Sequence, residues 1–197
     1  WDFRPQSVDK SIETSGTTHL VAIDSYGNTI SMTSSIETAF GAKIMTDGFL
    51  LNNQLTDFSF IPEENGHKVA NRVEGGKRPR SSMTPVIIFD QNNMPVLLLG
   101  SAGGSRIIDY VLQRIISILD WNMPVQEALS TPNIVTHGSS IEIESGFDEQ
   151  IDIEAFQAYG HDIELTELNS GLTAAYFLEG NWHGAADPRR EGIALGK

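Results

Sequence analysis

A layered α/β fold of the mixed α+β kind, with helices packed on mostly antiparallel sheets, is what this sequence predicts, and three observations predict it. Two pairs of short β-prone segments are each joined by turn residues. Residues 105–120 carry apolar side chains at helical spacing, and strand-like alternation returns further on, beside two shorter helical stretches.

In chain order, residues 1–16 are polar, hold no sustained period and end in Glu13-Thr-Ser-Gly16, a lead-in segment. Residues 19–24 are apolar and β-prone, Ser25-Tyr-Gly-Asn28 supplies turn chemistry, and residues 29–33 alternate again, so a hairpin is expected. A second hairpin is expected from Val86-Ile-Ile-Phe89 and Val96-Leu-Leu-Leu99, joined by Asp90-Gln-Asn-Asn93. The near-continuous apolar runs of both strands imply burial on both faces and a central position. Within residues 105–120, Ile108, Val111, Leu112, Ile115, Ile116 and Leu119 form a helical stripe that starts after Gly103-Gly-Ser105. Shorter helices are expected over 125–130, ended by Pro132, and over 149–159, ended by Gly160 as a left-handed cap. Residues 141–144, 163–166 and 174–178 alternate as strands, and Glu179-Gly-Asn181 turns the chain toward Trp182.

Composition narrows the function. A chain of 197 residues with 40% hydrophobic content can bury one sizeable core and is small for two. Lys and Arg number 13 against 26 Asp and Glu, a net charge of -13, which repels polyphosphate and anionic lipid and argues against a nucleic-acid partner. Apolar runs such as Pro95-Val-Leu-Leu-Leu-Gly100 are far shorter than a membrane span, so no membrane contact is expected from this segment. With no cysteine there is no disulfide framework, thiolate metal site or cysteine nucleophile. The five histidines are scattered without metal-ligand spacing, and neither a metal nor a cofactor is expected. Residues 1–7 do not start with Met or join a basic to an apolar stretch, so the chain reads as part of a longer one that would carry any export signal.

The informative segment for chemistry is Ser15-Gly-Thr-Thr-His-Leu-Val-Ala-Ile-Asp24. A hydroxyl residue directly after glycine, at the mouth of a strand, can be an autoproteolysis site. Scission between Gly16 and Thr17 would make Thr17 amino-terminal. Its α-amine, with an ordinary pKa near ~8, could then act as base toward its own hydroxyl. Taken alone, Gly-Thr-Thr reads as a turn entering a strand rather than a cleavage site.

The segments that follow in order are Thr17-Thr-His19, Asp24 with Gly27-Asn28, Phe40-Gly41, Gly48-Phe-Leu-Leu-Asn-Asn-Gln54 and Asp57-Phe-Ser59. Then come Lys77-Arg-Pro79, Ser81-Ser-Met83, Gly103-Gly-Ser-Arg106 and Asp187-Pro-Arg189. Jointly they resemble the small subunit of the γ-glutamyltranspeptidase family over residues 17–197. The resemblance implies an αββα sandwich of stacked, mostly antiparallel sheets, the N-terminal-nucleophile hydrolase type. It further implies residues 1–16 as lead-in to a catalytic domain over 17–197, and a precursor cut into large and small subunits. The expected partners are that large subunit and a small-molecule γ-glutamyl or related acyl amide such as glutathione.

Carried over from the resemblance, Thr17 is the nucleophile, and Gly103 and Gly104 offer the backbone amides that bind an oxyanion. That second role suits glycines opening a helix, where N–H groups and the dipole meet developing negative charge. Gln54 and Asp57 correspond to residues that receive the substrate's α-ammonium, and Ser81 and Ser82 to those that hold its α-carboxylate. Ser35 stands where the family commonly has a second threonine that supports the nucleophile, and it keeps the hydroxyl. Glu37 stands where many members have Asn; it can pair with an α-ammonium or signal a different acyl group. Residues 61–76 stand where many relatives carry a pocket-covering loop and look short, which predicts an open site and hydrolysis exceeding transfer. Many relatives work outside the cytoplasmic membrane, so a periplasmic or secreted parent is expected, with an intracellular acylase as the other possibility.

The competing readings are a cephalosporin or glutaryl acylase on the same scaffold, and a non-catalytic, unprocessed fragment. The second draws on the continuity of the sequence through Gly16-Thr17, which leaves Thr17 without a free α-amine. Asp187-Pro-Arg189 is read as structural, His19 as a hydrogen-bonding residue at the strand's start, and Phe177 and Trp182 as packing.

Overall fold

The computed structural model describes residues 16–137 and 140–196, so the predicted lead-in lies outside it except for Gly16. The first hairpin joins β1 (Thr17–Ile23) to β2 (Thr29–Ser35) in an antiparallel register that sets Thr17 opposite Ser35 and Leu20 opposite Met32. Its turn closes as the sequence indicates, with the Asp24 carboxylate accepting the Tyr26 and Asn28 amides at 2.9 Å each. Strand alternation sends His19 inward, where it is buried, and leaves Leu20, Ile30 and Met32 outward at 40%, 46% and 42% exposure.

Four two-residue strands follow: β3 (Met45–Thr46) with β4 (Phe49–Leu50), and β5 (Glu63–Glu64) with β6 (His67–Lys68). Pairs this short carry no readable period, which is why the sequence gives no sign of them. Between the two pairs a 3-10 turn spans Gln54–Asp57.

β7 (Val86–Phe89) and β8 (Pro95–Gly100) form the predicted second hairpin. After it come α1 (Ile107–Leu119), α2 (Val125–Ser130), β9 (Ile134–His137), β10 (Ser140–Glu144), α3 (Ile153–Ala158), β11 (Asp162–Thr166), β12 (Thr173–Leu178) and β13 (Asn181–Ala186). The main sheet has the order β13-β12-β8-β7 and is antiparallel throughout. β8 is central, with Leu97, Leu98 and Leu99 at 0% exposure, whereas β7 lies at the edge and Phe89 is 53% exposed. The expectation of two central strands therefore holds for one: an apolar run reports burial of faces, and hydrogen-bonding neighbours are a separate matter. β10 pairs in parallel with β11 because α3 forms the crossover between them.

Two layers cover the main sheet. Leu97, Leu99, Ala174 and Ala185 pack with Ile107, Val111 and Ile118 of α1 and with Val125, Ala128 and Leu129 of α2. Leu98 and Ala175 alternate to the other face, which the β1–β2 hairpin covers through contacts to β8 and β12. Among the described residues the layer order is thus hairpin, sheet, helices. The stripe of α1 is rotated from the predicted one: Ile108 and Leu112 are 52% and 51% exposed, while Ile107, Tyr110 and Arg114 point inward. The reason is Arg114, which occupies a core position that a hydropathy pattern assigns to the surface.

Arg114 is 1% exposed and donates from Nη2 to Thr131 O and Asn133 Oδ1, each at 2.8 Å. Burial holds its pKa down to about 10, with the neighbouring Arg189 adding to the effect. Asn133 passes the network to Ser170 (3.0 Å), and Ser170 donates to buried Asp187 (2.5 Å). Arg189 closes it, donating to Glu144 at 2.6 and 2.8 Å and to Asp187 at 3.0 Å. Buried charges are retained only with such pairing, so Asp187-Pro-Arg189 fastens the carboxyl-terminal segment to β10 and α1.

Candidate active site

The register that places Thr17 opposite Ser35 brings their hydroxyls together, with Oγ1 and Oγ 2.9 Å apart. Ser35 Oγ also accepts the amide of Glu37 at 2.9 Å. Glu37 adopts a left-handed backbone, φ 75°, a conformation that costs about 1–3 kcal/mol for a residue with a side chain. The strain turns the chain out of β2 and directs it into the cleft. Thr38 then ties this turn to the next segment, its amide and hydroxyl both donating to Asn53 Oδ1 at 3.2 and 3.1 Å.

Gln54, at the start of the 3-10 turn, lies between two carboxylates. Its Nε2 donates to Glu37 Oε2 at 3.2 Å and to Asp57 Oδ2 at 2.5 Å. One amide group thus gathers two carboxylates, from segments far apart in sequence, against one wall. Across the cleft, Ser81 Oγ accepts the Met83 amide at 3.2 Å, which leaves the Ser81 proton free to donate. The carbonyl of Ser82 accepts from Thr84 Oγ1 at 2.8 Å.

Gly103 and Gly104 stand where β8 gives way to α1, with φ of 132° and 57°. A Cβ on Gly103 would lie 2.5 Å from the Tyr110 ring, so both the backbone angle and the close approach require glycine there. Amides at a helix start have no acceptor within the helix, and these two border the cleft.

The structure brings all nine sequence-selected residues, Thr17, Ser35, Glu37, Gln54, Asp57, Ser81, Ser82, Gly103 and Gly104, to the wall of one cleft of ≈ 470 Å³. It adds Arg80, Arg106, Tyr110, Glu167, Asn169 and Arg190, none of which the sequence reading placed in the site. Arg106 and Tyr110 carried a usable signal, since they follow the glycine pair at the start of a helix. Glu167, Asn169 and Arg190 carried none, because only the fold brings them to Thr17. Arg106 is held by Glu142 through its Nε at 2.5 Å and Nη2 at 3.2 Å. No residue from 58 to 79 lines the cleft.

His19 lies behind Thr17. Its ring bonds Thr33 Oγ1 at 2.8 Å and Ser31 Oγ at 3.2 Å and packs on Gly100, where a Cβ would come within 2.2 Å of it. Burial pushes its pKa down to about 4, so it is neutral at physiological pH and serves as the hydrogen-bonding residue predicted. Phe177 and Trp182 pack on each other with ring centroids 5.3 Å apart. Among the described residues, no group of three His, Asp or Glu side chains is placed to hold a metal ion. No helix among them is long and apolar enough to cross a membrane.

Comparison with known proteins bears on this geometry. The model of the gamma-glutamyltranspeptidase family matches residues 2–197. The chain belongs to that family. It is 38% identical over 186 residues to the glutathione hydrolase proenzyme of Bacillus subtilis (strain 168), covering 91% of this chain and 30% of that protein. With the Escherichia coli (strain K12) glutathione hydrolase proenzyme it shares 35% identity over 188 residues, 90% of this chain and 32% of the relative. The crystal structure of a Helicobacter pylori gamma-glutamyltranspeptidase variant superposes with a TM-score of 0.76 at 35% identity, covering 88% of this chain and 100% of that one. Within the γ-glutamyltranspeptidase family, the antiparallel sheets and short helices seen here are the N-terminal-nucleophile hydrolase fold. This chain spans about a third of the length of the curated relatives it matches.

Proposed function

We propose that this chain is the catalytic part of a precursor that cuts itself between Gly16 and Thr17 and then transfers acyl groups from γ-glutamyl amides, glutathione among them, through Thr17. The observation that carries the reading is the Thr17–Ser35 hydroxyl pair at 2.9 Å, set on one cleft with the Glu37-Gln54-Asp57 cluster and the Gly103-Gly104 amides.

In the cut enzyme the Thr17 α-amine takes the Oγ1 proton as Oγ1 attacks the amide carbon. Ser35 holds Oγ1 in line, and the Gly103 and Gly104 amides meet the charge that forms on the carbonyl oxygen, the type of contact worth about 10²–10³ in rate. The carbon–nitrogen bond breaks as the α-ammonium protonates the leaving amine, leaving an ester on Thr17. Water or an acceptor amine then attacks the ester, its proton passes to the α-amine, and Thr17 Oγ1 is released with a proton. Before scission the α-amine is an amide nitrogen and cannot act as base.

Two carboxylates bridged by Gln54 fit an α-ammonium, and Ser81 and Ser82 fit an α-carboxylate. A glutaryl group lacks the ammonium and would leave Glu37 and Asp57 facing an apolar chain, which disfavours the glutaryl acylase reading. The short 61–76 segment, which adds nothing to the cleft wall, favours hydrolysis over transfer. The outward face of the hairpin, with Leu20, Ile30 and Met32, is the surface we assign to the remainder of the precursor.

The test is intact mass and amino-terminal sequencing of the full-length precursor beside Thr17→Ala. A fragment beginning at Thr17, absent from the variant, is the expected result, and a wild type that stays uncut overturns the mechanism. The cut enzyme is expected to hydrolyse a γ-glutamyl anilide faster than a glutaryl anilide. With glycylglycine present, free glutamate should exceed the dipeptide-transfer product.

A further inference from the structure

Arg190 joins the nucleophile residue to the opposite end of the chain. Its Nε donates to Ser170 O at 3.1 Å, its Nη2 to Asn169 O at 2.9 Å and its Nη1 to Thr17 O at 3.4 Å. The fork therefore spans the 169–170 loop and the first residue of β1. The side chain is half-buried and borders both the main cleft and a smaller cavity of ≈ 310 Å³ behind Thr17. Its neighbour Arg189 is committed to Glu144 and Asp187, so the two arginines of Asp187-Pro-Arg-Arg190 have different work: one fastens the fold, and the other reaches the site.

We propose that Arg190 is a positioning residue that also lowers the basicity of the Thr17 α-amine, keeping it unprotonated near neutral pH. This rests on the reading of Thr17 as a terminal nucleophile. The nitrogen and carbonyl oxygen of one residue are no more than about 3.6 Å apart, so a guanidinium 3.4 Å from Thr17 O stands within about 7 Å of the nitrogen. At that range a fixed cation disfavours a second positive charge on the amine. Guanidinium is the suitable cation because it stays charged throughout the working pH range. The contact to the carbonyl also restrains rotation of the residue that must present Oγ1 to the substrate.

Other charged groups line the two cavities that border Thr17. Glu37, Asp57 and Glu167 line the cleft with Arg80, Arg106 and Tyr110. Asp187 and Glu191 line the smaller cavity with His19, which is neutral there. The carboxylates raise the basicity of the amine, and Arg190, in contact with the Thr17 residue itself, opposes them.

The experiment compares the pH dependence of kcat/KM for hydrolysis of a γ-glutamyl anilide by the self-cut full-length enzyme, by Arg190→Gln and by Arg190→Lys. The free-enzyme base sets the acid limb, and only the unprotonated amine reacts. Removing the cation raises the amine's pKa, so the limb in Arg190→Gln is expected to move up by about one pH unit. In Arg190→Lys the charge remains and the limb stays near wild type, while the rate falls several-fold because the three-carbonyl fork is lost. A limb unmoved in Arg190→Gln overturns the inference even if activity drops. Should Arg190→Gln fail to fold or to be cut, Arg190→Lys decides: a limb shifted by as much as one unit with the charge retained overturns it. A wild type that is never cut fails the underlying reading instead, and the two failures are told apart by the amino-terminal sequence.

Discussion

Two residues along β1 from Thr17, His19 shows how a single side chain couples the site to pH. Its pKa in the folded chain is about 4 against an ordinary 6.5, through burial, so the unfolded chain binds a proton that the folded chain refuses. Stability from this group is fully present above pH ~6.5 and is lost as pH falls through ~4. Denaturant midpoints measured across that window are expected to fall for the wild type and to fall less for His19→Asn. Equal slopes would show that carboxylate protonation alone governs the acid limb of stability. The histidine's position beside Thr17 was visible in the sequence. That it is neutral and shares a bonded pair of hydroxyls, Ser31 and Thr33, was not, since both come from the facing strand.

At the level of elements, the junction of β8 and α1 links packing to chemistry. β8 is buried on both faces and α1 buries Ile107, Tyr110 and Ile118, so the two glycines between them are held by rigid neighbours. Gly103→Ala forces a Cβ against the Tyr110 ring and a side chain into φ 132°. The expected cost is about 1–3 kcal/mol in stability, together with a fall of about 10²-fold or more in acylation rate as the amides move. Single-turnover acylation and thermal unfolding on the same preparation separate the two effects. Unchanged acylation would remove these amides from the oxyanion role. The hairpins, the glycine pair and the spans of α1 and α2 were legible, because period and turn chemistry are local, whereas α3 starts at Ile153 and not at the predicted 149, where a separate 3-10 turn lies instead. The edge position of β7, the two-residue strands and the inward face of α1 were not legible. Each depends on which elements become neighbours, and the inward face of α1 carries the buried Arg114, a residue that hydropathy places outside.

For the molecule as a whole, the outward hairpin face and the net charge of -13 work in opposite directions. Leu20 and Met32 lie cross-strand from each other and Ile30 opposite Ala22, forming an apolar strip on a strongly acidic chain. Such a strip is covered in an assembly or promotes association when bare. Leu20→Ser with Met32→Ser is expected to keep the isolated chain monomeric at higher concentration and to weaken its association with the separately produced remainder of the precursor. Light scattering and co-purification read the two outcomes. Retained association would move the contact elsewhere. The sequence by itself determined the layered fold, the family and nine residues of the cleft, since those residues each sit in short local patterns. Only the tertiary structure decided that these patterns converge, that Gln54 bridges Glu37 and Asp57, and that Arg190 reaches back to Thr17 across 173 positions. The reason is physical: a hydrogen bond between residues distant in the chain leaves no period or spacing in the sequence, and it exists only once packing of the sheet and helices has brought its partners within about 3 Å.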